Sequence, residues 1–263
     1  MKKRRGVLLQ IRDQLRVIGA LIMREMVTRF GREGLGFIWL IAEPLVFCLG
    51  VLALWTATKP DYEHGIKLAP FLMTGYMSLI LIRHILGMLT SAIKANVGLF
   101  YHRSVRPVHV FVSRIILEFS GASIAFVLAY LLLMFLGEIG PPQNYLILYL
   151  GWFLVAWTSV GFAMVMTGVV MHFESFERVV GLIGYLIIPL SGAFYMVAWL
   201  PPHVQRYALL IPFVHGTEMI RSGVFGENLP SHYSVYYAIF SGLILICLGL
   251  LLVSSGMKKQ DTE

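Results

Sequence analysis

Charge is scarce in this sequence. Only 13% of its 263 residues are Asp, Glu, Lys or Arg, against 58% hydrophobic residues and a mean hydropathy of +0.77. A soluble domain carries about 25% charge, so a water-facing globule of this composition would lack the polar surface to cover itself. That points to an integral membrane protein. Cysteine is nearly absent too. Cys48 and Cys247 both lie inside apolar runs, which argues against a disulfide framework and a thiolate metal site. The sequence has no GxxxxGK[ST] phosphate loop, so this chain does not bind and hydrolyse ATP by that route, and no HExxH pair for zinc. Gly121-Ala122-Ser123 is the nearest string to a nucleophile, but no histidine stands at matching depth in the last three apolar runs. Ser120 to Ser123 reads better as a small-residue helix-packing face, and an enzyme reading is poor. Internal repeats and low-complexity linkers are missing as well.

What is present is apolar length. A helix crosses about 30 Å of hydrocarbon with ~20 residues, and six runs qualify: 37 to 57, 69 to 91, 110 to 136, 146 to 171, 179 to 200 and 235 to 254. The last three hold no Asp, Glu, Lys or Arg, whereas the first three carry Glu43, Arg83, and Arg114 with Glu118. A further run, 204 to 225, contains Arg206, Glu218 and Arg221 with Pro212 and Gly216 in its middle. Crossing there would bury three charges at about 2.5–3.5 kcal/mol each, so it reads as re-entrant. Fifteen of the 21 Lys and Arg residues fall on one side of a six-span arrangement, nine of them in residues 1 to 36. The positive-inside bias then predicts cytoplasmic termini. The expected organisation is an interfacial helix and entrance over 1–36 and a six-helix membrane domain over 37–263.

Val7, Leu8, Ile11, Leu15, Ile18 and Ile22 recur at helical spacing, with Arg12, Asp13 and Arg16 elsewhere around the helix. This predicts an amphipathic helix in the interface, its bases toward anionic head groups; a bare topology signal is the alternative. Four further features are out of place in a passive bundle. Glu43 sits beside Pro44 inside the first span. The loop 92–109 offers Leu99, Phe100 and Tyr101 between bases, as a helix docking on a partner would, or an amphipathic loop on lipid. The segment 201–230, with Pro201-Pro202, Tyr207 and Pro212-Phe213-Val214-His215, is irregular and polar, and such backbone survives at membrane depth only inside protein or beside a water-filled cavity. Glu174-Ser175-Phe176-Glu177-Arg178 is an acidic patch between the fourth and fifth runs, either a solvated turn or a functional loop.

Several of these strings together resemble the permease subunits of type 2 ABC exporters, specifically those that export bacterial capsule polysaccharide. They are Arg24-Glu25 with Thr28-Arg29-Phe30, Leu35-Gly36-Phe37-Ile38-Trp39 with Glu43-Pro44, Ala95-Asn96-x-Gly98-Leu99-Phe100 with Val105-Arg106-Pro107, Arg114 with Leu117-Glu118, and Pro212-Phe213-Val214-His215 with Glu218. The likeness extends over essentially the whole chain. One departure is Ile211, where the family pattern has asparagine before the proline.

The resemblance implies an all-α membrane fold with paired re-entrant half-helices before the last span. It implies a homodimer in the inner membrane, with ATP and Mg on a separate ABC ATPase subunit and no cofactor on this chain. Loop 92–109 would then be the coupling helix, with Asn96, Gly98, Leu99, Phe100, His102, Arg103 and Pro107 as contact residues. The implied cargo is a lipid-linked, acidic polysaccharide, with O-antigen, teichoic acid or a small lipid as alternatives. Further partners would be a periplasm-spanning co-polymerase, an outer-membrane export protein and membrane lipids, with no nucleic acid. Candidate entrance and channel residues are Arg24, Arg29, Arg32, Trp39, Glu43, Arg83, Tyr185, Phe194 and Tyr195; candidate periplasmic gate residues are Tyr207, Pro212, His215, Glu218 and Arg221. Arg83 has a structural alternative, an ion pair with Glu43 or Glu118. Arg114 and Glu118, four apart on one helix, are expected to pair directly.

Overall fold

The structure is a computed structural model and describes residues 7–30, 36–58, 62–63, 65–100, 105–226 and 229–260. In chain order these form α1 (Val7–Phe30), α2 (Gly36–Thr58), a short antiparallel hairpin of β1 (Tyr62–Glu63) and β2 (Ile66–Lys67), α3 (Leu68–Thr90), α4 (Val97–Phe100), α5 (Pro107–Phe135), α6 (Tyr145–His172), α7 (Phe176–Leu190), α8 (Pro202–Ala208), α9 (Pro212–Phe225) and α10 (Val235–Gln260). Three of these helices, α5, α8 and α9, start on a proline, whose missing N–H costs nothing in a first turn. At the start of α6 the Asn144 side chain accepts the Ile147 N–H at 3.1 Å.

Five helices are long and apolar enough to cross a membrane: Ile38–Thr58, Leu68–Thr90, Pro107–Phe135, Tyr145–His172 and Val235–Lys259. They match five of the six expected runs to within a few residues. The remaining run, 179 to 200, is not one helix. Pro189 lies one residue before the end of α7, and Gly192 turns the chain with φ +72° before a short 3-10 turn at Val197–Trp199. Leucine, isoleucine and valine made the stretch read as continuous, and the proline and the left-handed glycine end it. The run 204–225 likewise divides into α8 and α9.

α3 is the central helix, with α2, α5, α6, α7 and α9 around it. α6 and α10 run parallel in a seven-residue register. Gly249 lies against Met164 and Gly256 against Met171, with room for a Cβ only at 2.6 and 2.9 Å from those side chains. Small residues let backbones approach closely where lipid offers no hydrophobic drive. α9 runs antiparallel to α6, its Gly216 facing Val155. Its first turn reaches Phe162, whose ring meets Phe213 edge-on at 5.5 Å. Gly121 of α5 packs on Leu40 of α2, as expected for the Ser120–Ser123 face.

Candidate functional site

One end of the bundle gathers α1, the C-terminal end of α3, the start of α5 and the loop between them; it is called the basic end below. Here Val17, Leu21 and Glu25, four apart, turn inward from α1, while Ile11 and Leu15 on the expected apolar face stay exposed. Glu25 is buried, and two guanidinium groups, an imidazole and an amide surround it and its neighbour Glu118. Arg114 Nε lies 3.1 Å from Glu25 Oε1, and Arg29 Nε 2.9 Å from Glu25 Oε2. Arg29 Nη1 donates to Glu118 Oε1 at 2.6 Å, and His84 Nδ1 lies 3.3 Å from Glu118 Oε2. Arg114 also donates to the Met88 carbonyl at 2.6 Å and to Ser91 Oγ at 3.1 Å. The expected Arg114–Glu118 pair on α5 is therefore corrected: each residue pairs instead with an α1 side chain of opposite sign. Buried charges need partnering of this kind to be tolerated, and within the network Arg29 Nη2 is buried without a hydrogen-bond partner among the described residues.

The network extends into the loop 92–109. Arg24 Nη1 donates to Asn96 Oδ1 at 2.6 Å, and the Asn96 amide donates to Glu25 at 3.5 Å and to the Ala92 carbonyl at 2.9 Å. Asn96 is buried. Of the expected contact residues on α4, Leu99 and Phe100 are half-buried against the core and Gly98 is turned outward, together with Val97, which is not among them. Pro107 opens α5. Arg32, His102 and Arg103 lie outside the described residues. The patch at Glu174–Arg178 meets this loop: Lys94 Nζ is 2.6 Å from Glu177 and 3.8 Å from Glu174. That hydrogen bond to Glu177 holds the Lys94 ammonium above its ordinary pKa.

Arg83 takes neither expected partner. It is exposed, its guanidinium lying 5.5 Å from the Tyr185 ring centroid, and it lines a cleft with Glu43, Pro44, Phe47, Tyr76, Ile80 and His84. Tyr185 is exposed, and so is Trp39 at the start of α2. Phe194 stacks on Trp55 at 5.3 Å and meets Tyr76 at 6.3 Å. Tyr195 is half-buried, its carbonyl taken by Arg221.

At the opposite end, the polar side chains of α9 are spent on backbone. Arg221 is fully buried. It donates to the carbonyls of Gly192, Ala193 and Tyr195 at 2.7, 2.6 and 2.7 Å, and its guanidinium covers Phe71 at 4.0 Å. Glu218 accepts the N–H groups of Val197 and His232 at 3.2 and 3.1 Å. His215 Nδ1 accepts the Ser234 N–H, which leaves Nε2 to donate to the Leu209 carbonyl. Together they fasten residues 192–197, Leu209 and residues 232–234 onto α9, whose first residue is Pro212. Tyr207 alone of the gate candidates is strongly exposed.

Sequence reading passed over the roles of Glu25, His84 and Tyr76. Glu25 stands four before Arg29, and Tyr76 seven before Arg83, spacings that place each pair on one helical face.

A bundle of long apolar helices with a buried ion lattice at one end and no metal-binding cluster among the described residues is a polytopic membrane protein. The chain belongs to the ABC-2 type transporter family, whose sequence model matches residues 16–225. It is 38% identical over 250 residues to the capsule polysaccharide export inner-membrane protein CtrC of Neisseria meningitidis serogroup B, covering 95% of this chain and 94% of that one. BexB of Haemophilus influenzae, also a capsule polysaccharide export inner-membrane protein, is 36% identical over the same shares. The polysialic acid transport protein KpsM of Escherichia coli is 30% identical over 243 residues, 89% of this chain and 91% of its own.

Proposed function

We propose that this chain is the permease subunit of an ATP-driven exporter that moves lipid-linked capsule polysaccharide, acidic in character, across the inner membrane. The observation that carries the reading is the likeness over 95% of its length to a capsule polysaccharide export protein. Two copies enclose the passage on a twofold axis, because six helices surround too little space for a polymer. A separate ABC ATPase subunit carries ATP and Mg. A periplasm-spanning co-polymerase and an outer-membrane export protein receive the product.

In this reading both termini are cytoplasmic, and the basic end faces the cytosol. α7 rises ~22 Å at 1.5 Å per residue and, with residues 191–200, makes the fifth of six spans. α8 and α9 are the re-entrant pair, supported by the reach of Phe213 to Phe162, well inside α6. α1 lies in the interface with Ile11 and Leu15 toward lipid, and Arg24 and Arg29 stand at the cargo entrance.

Loop 92–109 is the coupling helix. Movement imposed on it by the ATPase passes through Asn96 to Glu25 and Arg24 of α1, and through Ser91 to Arg114 of α5. Entrance helix and spans then move as one body. The test is purification of the tagged chain from its native host in mild detergent. A complex holding two copies of this chain and an ATPase subunit supports the reading; a monomer with no ATPase contradicts it.

A further inference from the structure

α3 is enclosed almost throughout. From Leu68 to Leu86 every residue is buried except Tyr76, Arg83 and His84. Tyr76 and Arg83, seven residues apart, share a face with Ile80, and that face opens on the cleft of about 350 Å³ completed by Glu43, Pro44 and Phe47 of α2. His84 is already engaged with Glu118 at 3.3 Å. Arg83 lies against the Tyr185 ring, and among the described residues neither Arg83 nor Glu43 has a hydrogen-bond or ion-pair partner.

Arg83 is the sixteenth residue of the 23-residue α3, and Glu43 the eighth of the 23-residue α2, so both stand within spans. Unneutralised charges at that depth do not face hydrocarbon; they line water or meet a ligand. The cleft holds one planar donor fork, one carboxylate and several rings. A bare anion gains from the first and is repelled by the second. A sugar acid uses both, because its carboxylate accepts from a guanidinium while its hydroxyls donate to a carboxylate.

We propose that this cleft is a subsite for one acidic sugar unit of the cargo. Arg83 takes the sugar carboxylate, Glu43 accepts a ring hydroxyl, and Tyr185 and Phe47 cover the sugar's C–H faces. Tyr185 also stacks on the guanidinium and fixes its plane. Toward the opposite end the rings continue through Tyr76, Phe194 and Trp55, which gives neighbouring sugar units further apolar faces. The inference rests on the exporter reading and deepens it by naming what the passage recognises.

The test uses the full chain with its ATPase subunit in lipid nanodiscs, titrated calorimetrically with tetragalacturonate, maltotetraose and inorganic phosphate. Tetragalacturonate should bind at least tenfold more tightly than maltotetraose. R83Q should abolish that preference, and Y185L should weaken both oligosaccharides several-fold. R83K, which keeps the charge and loses the fork, should reduce the preference and serves as the deciding variant if R83Q does not assemble. Equal tetragalacturonate binding by R83Q and the parent protein overturns the subsite. Phosphate that competes as well as tetragalacturonate, and is lost in R83Q, overturns the sugar assignment in favour of an anion site open to lipid phosphate. Failure of the unaltered chain to hold an ATPase would overturn the exporter reading separately, since that assembly does not depend on the cleft.

Discussion

Arg114 Nε of α5 lies 3.1 Å from Glu25 Oε1 of α1, and both side chains are closed off from solvent. One turn further along each helix, Arg29 and Glu118 repeat the contact with the signs exchanged. Crossed pairs of this kind lock the register of α1 against α5, because sliding either helix by a turn sets like charges together.

Removing one member should therefore cost more than removing two. Arg114→Ala leaves a buried carboxylate short of its partner, which typically costs about 3–5 kcal/mol. Thermal unfolding of the detergent-solubilised complex should show the loss, with partial recovery in the double variant R114A/E25A. Strictly additive losses would show that the two residues do not couple.

Loop 92–109, proposed above as the coupling helix, presents a sharper pair of substitutions than its sequence offered. Val97 faces outward and Asn96 inward. Val97→Asp should abolish co-purification of the ATPase at unchanged permease level. Asn96→Ala should keep the ATPase bound but lower cargo-dependent ATP hydrolysis several-fold. Retained ATPase binding in V97D would remove α4 from the docking surface.

At the other end, Arg221 holds three carbonyls with its two terminal nitrogens. Lysine has the charge without the planar fork. Arg221→Lys should lower the unfolding temperature by several degrees and expose residues 191–197 to protease, with ATPase binding retained. An unchanged digestion pattern would mean that α9 does not fasten that turn.

Gly249 and Gly256 predict a steric limit on α10. Gly249→Leu forces a side chain into Met164 and the α6 backbone beside it, and overpacking of this kind typically costs about 1–3 kcal/mol. Lower yield and stability are expected for G249L, and near-normal behaviour for substitutions at exposed Leu251. Equal tolerance at both positions would contradict the close parallel packing of α6 and α10.

Length and hydropathy made five spans legible, because about twenty apolar residues in a row have few other uses. They gave no sign that the helix within 179–200 stops short, because composition there is uniform while Pro189 and Gly192 end it at Leu190. The polar positions were visible for the same reason that charge is scarce. Their partners were not. Glu25 pairs across 89 residues with Arg114, and Arg221 with carbonyls up to 29 residues away, and no local spacing encodes such meetings. Arg83 was legible as an odd charge, whereas the enclosure of α3 on every side but this one belongs to the packing.

The central claim is export, and the location of the polymer tests it most directly. A chromosomal deletion of this chain, examined by immunogold labelling of capsule polysaccharide, should leave the cell surface bare and polymer accumulated in the cytoplasm, with surface capsule restored by the unaltered chain. Normal surface capsule in the deletion strain, or loss of capsule without internal polymer, would contradict it.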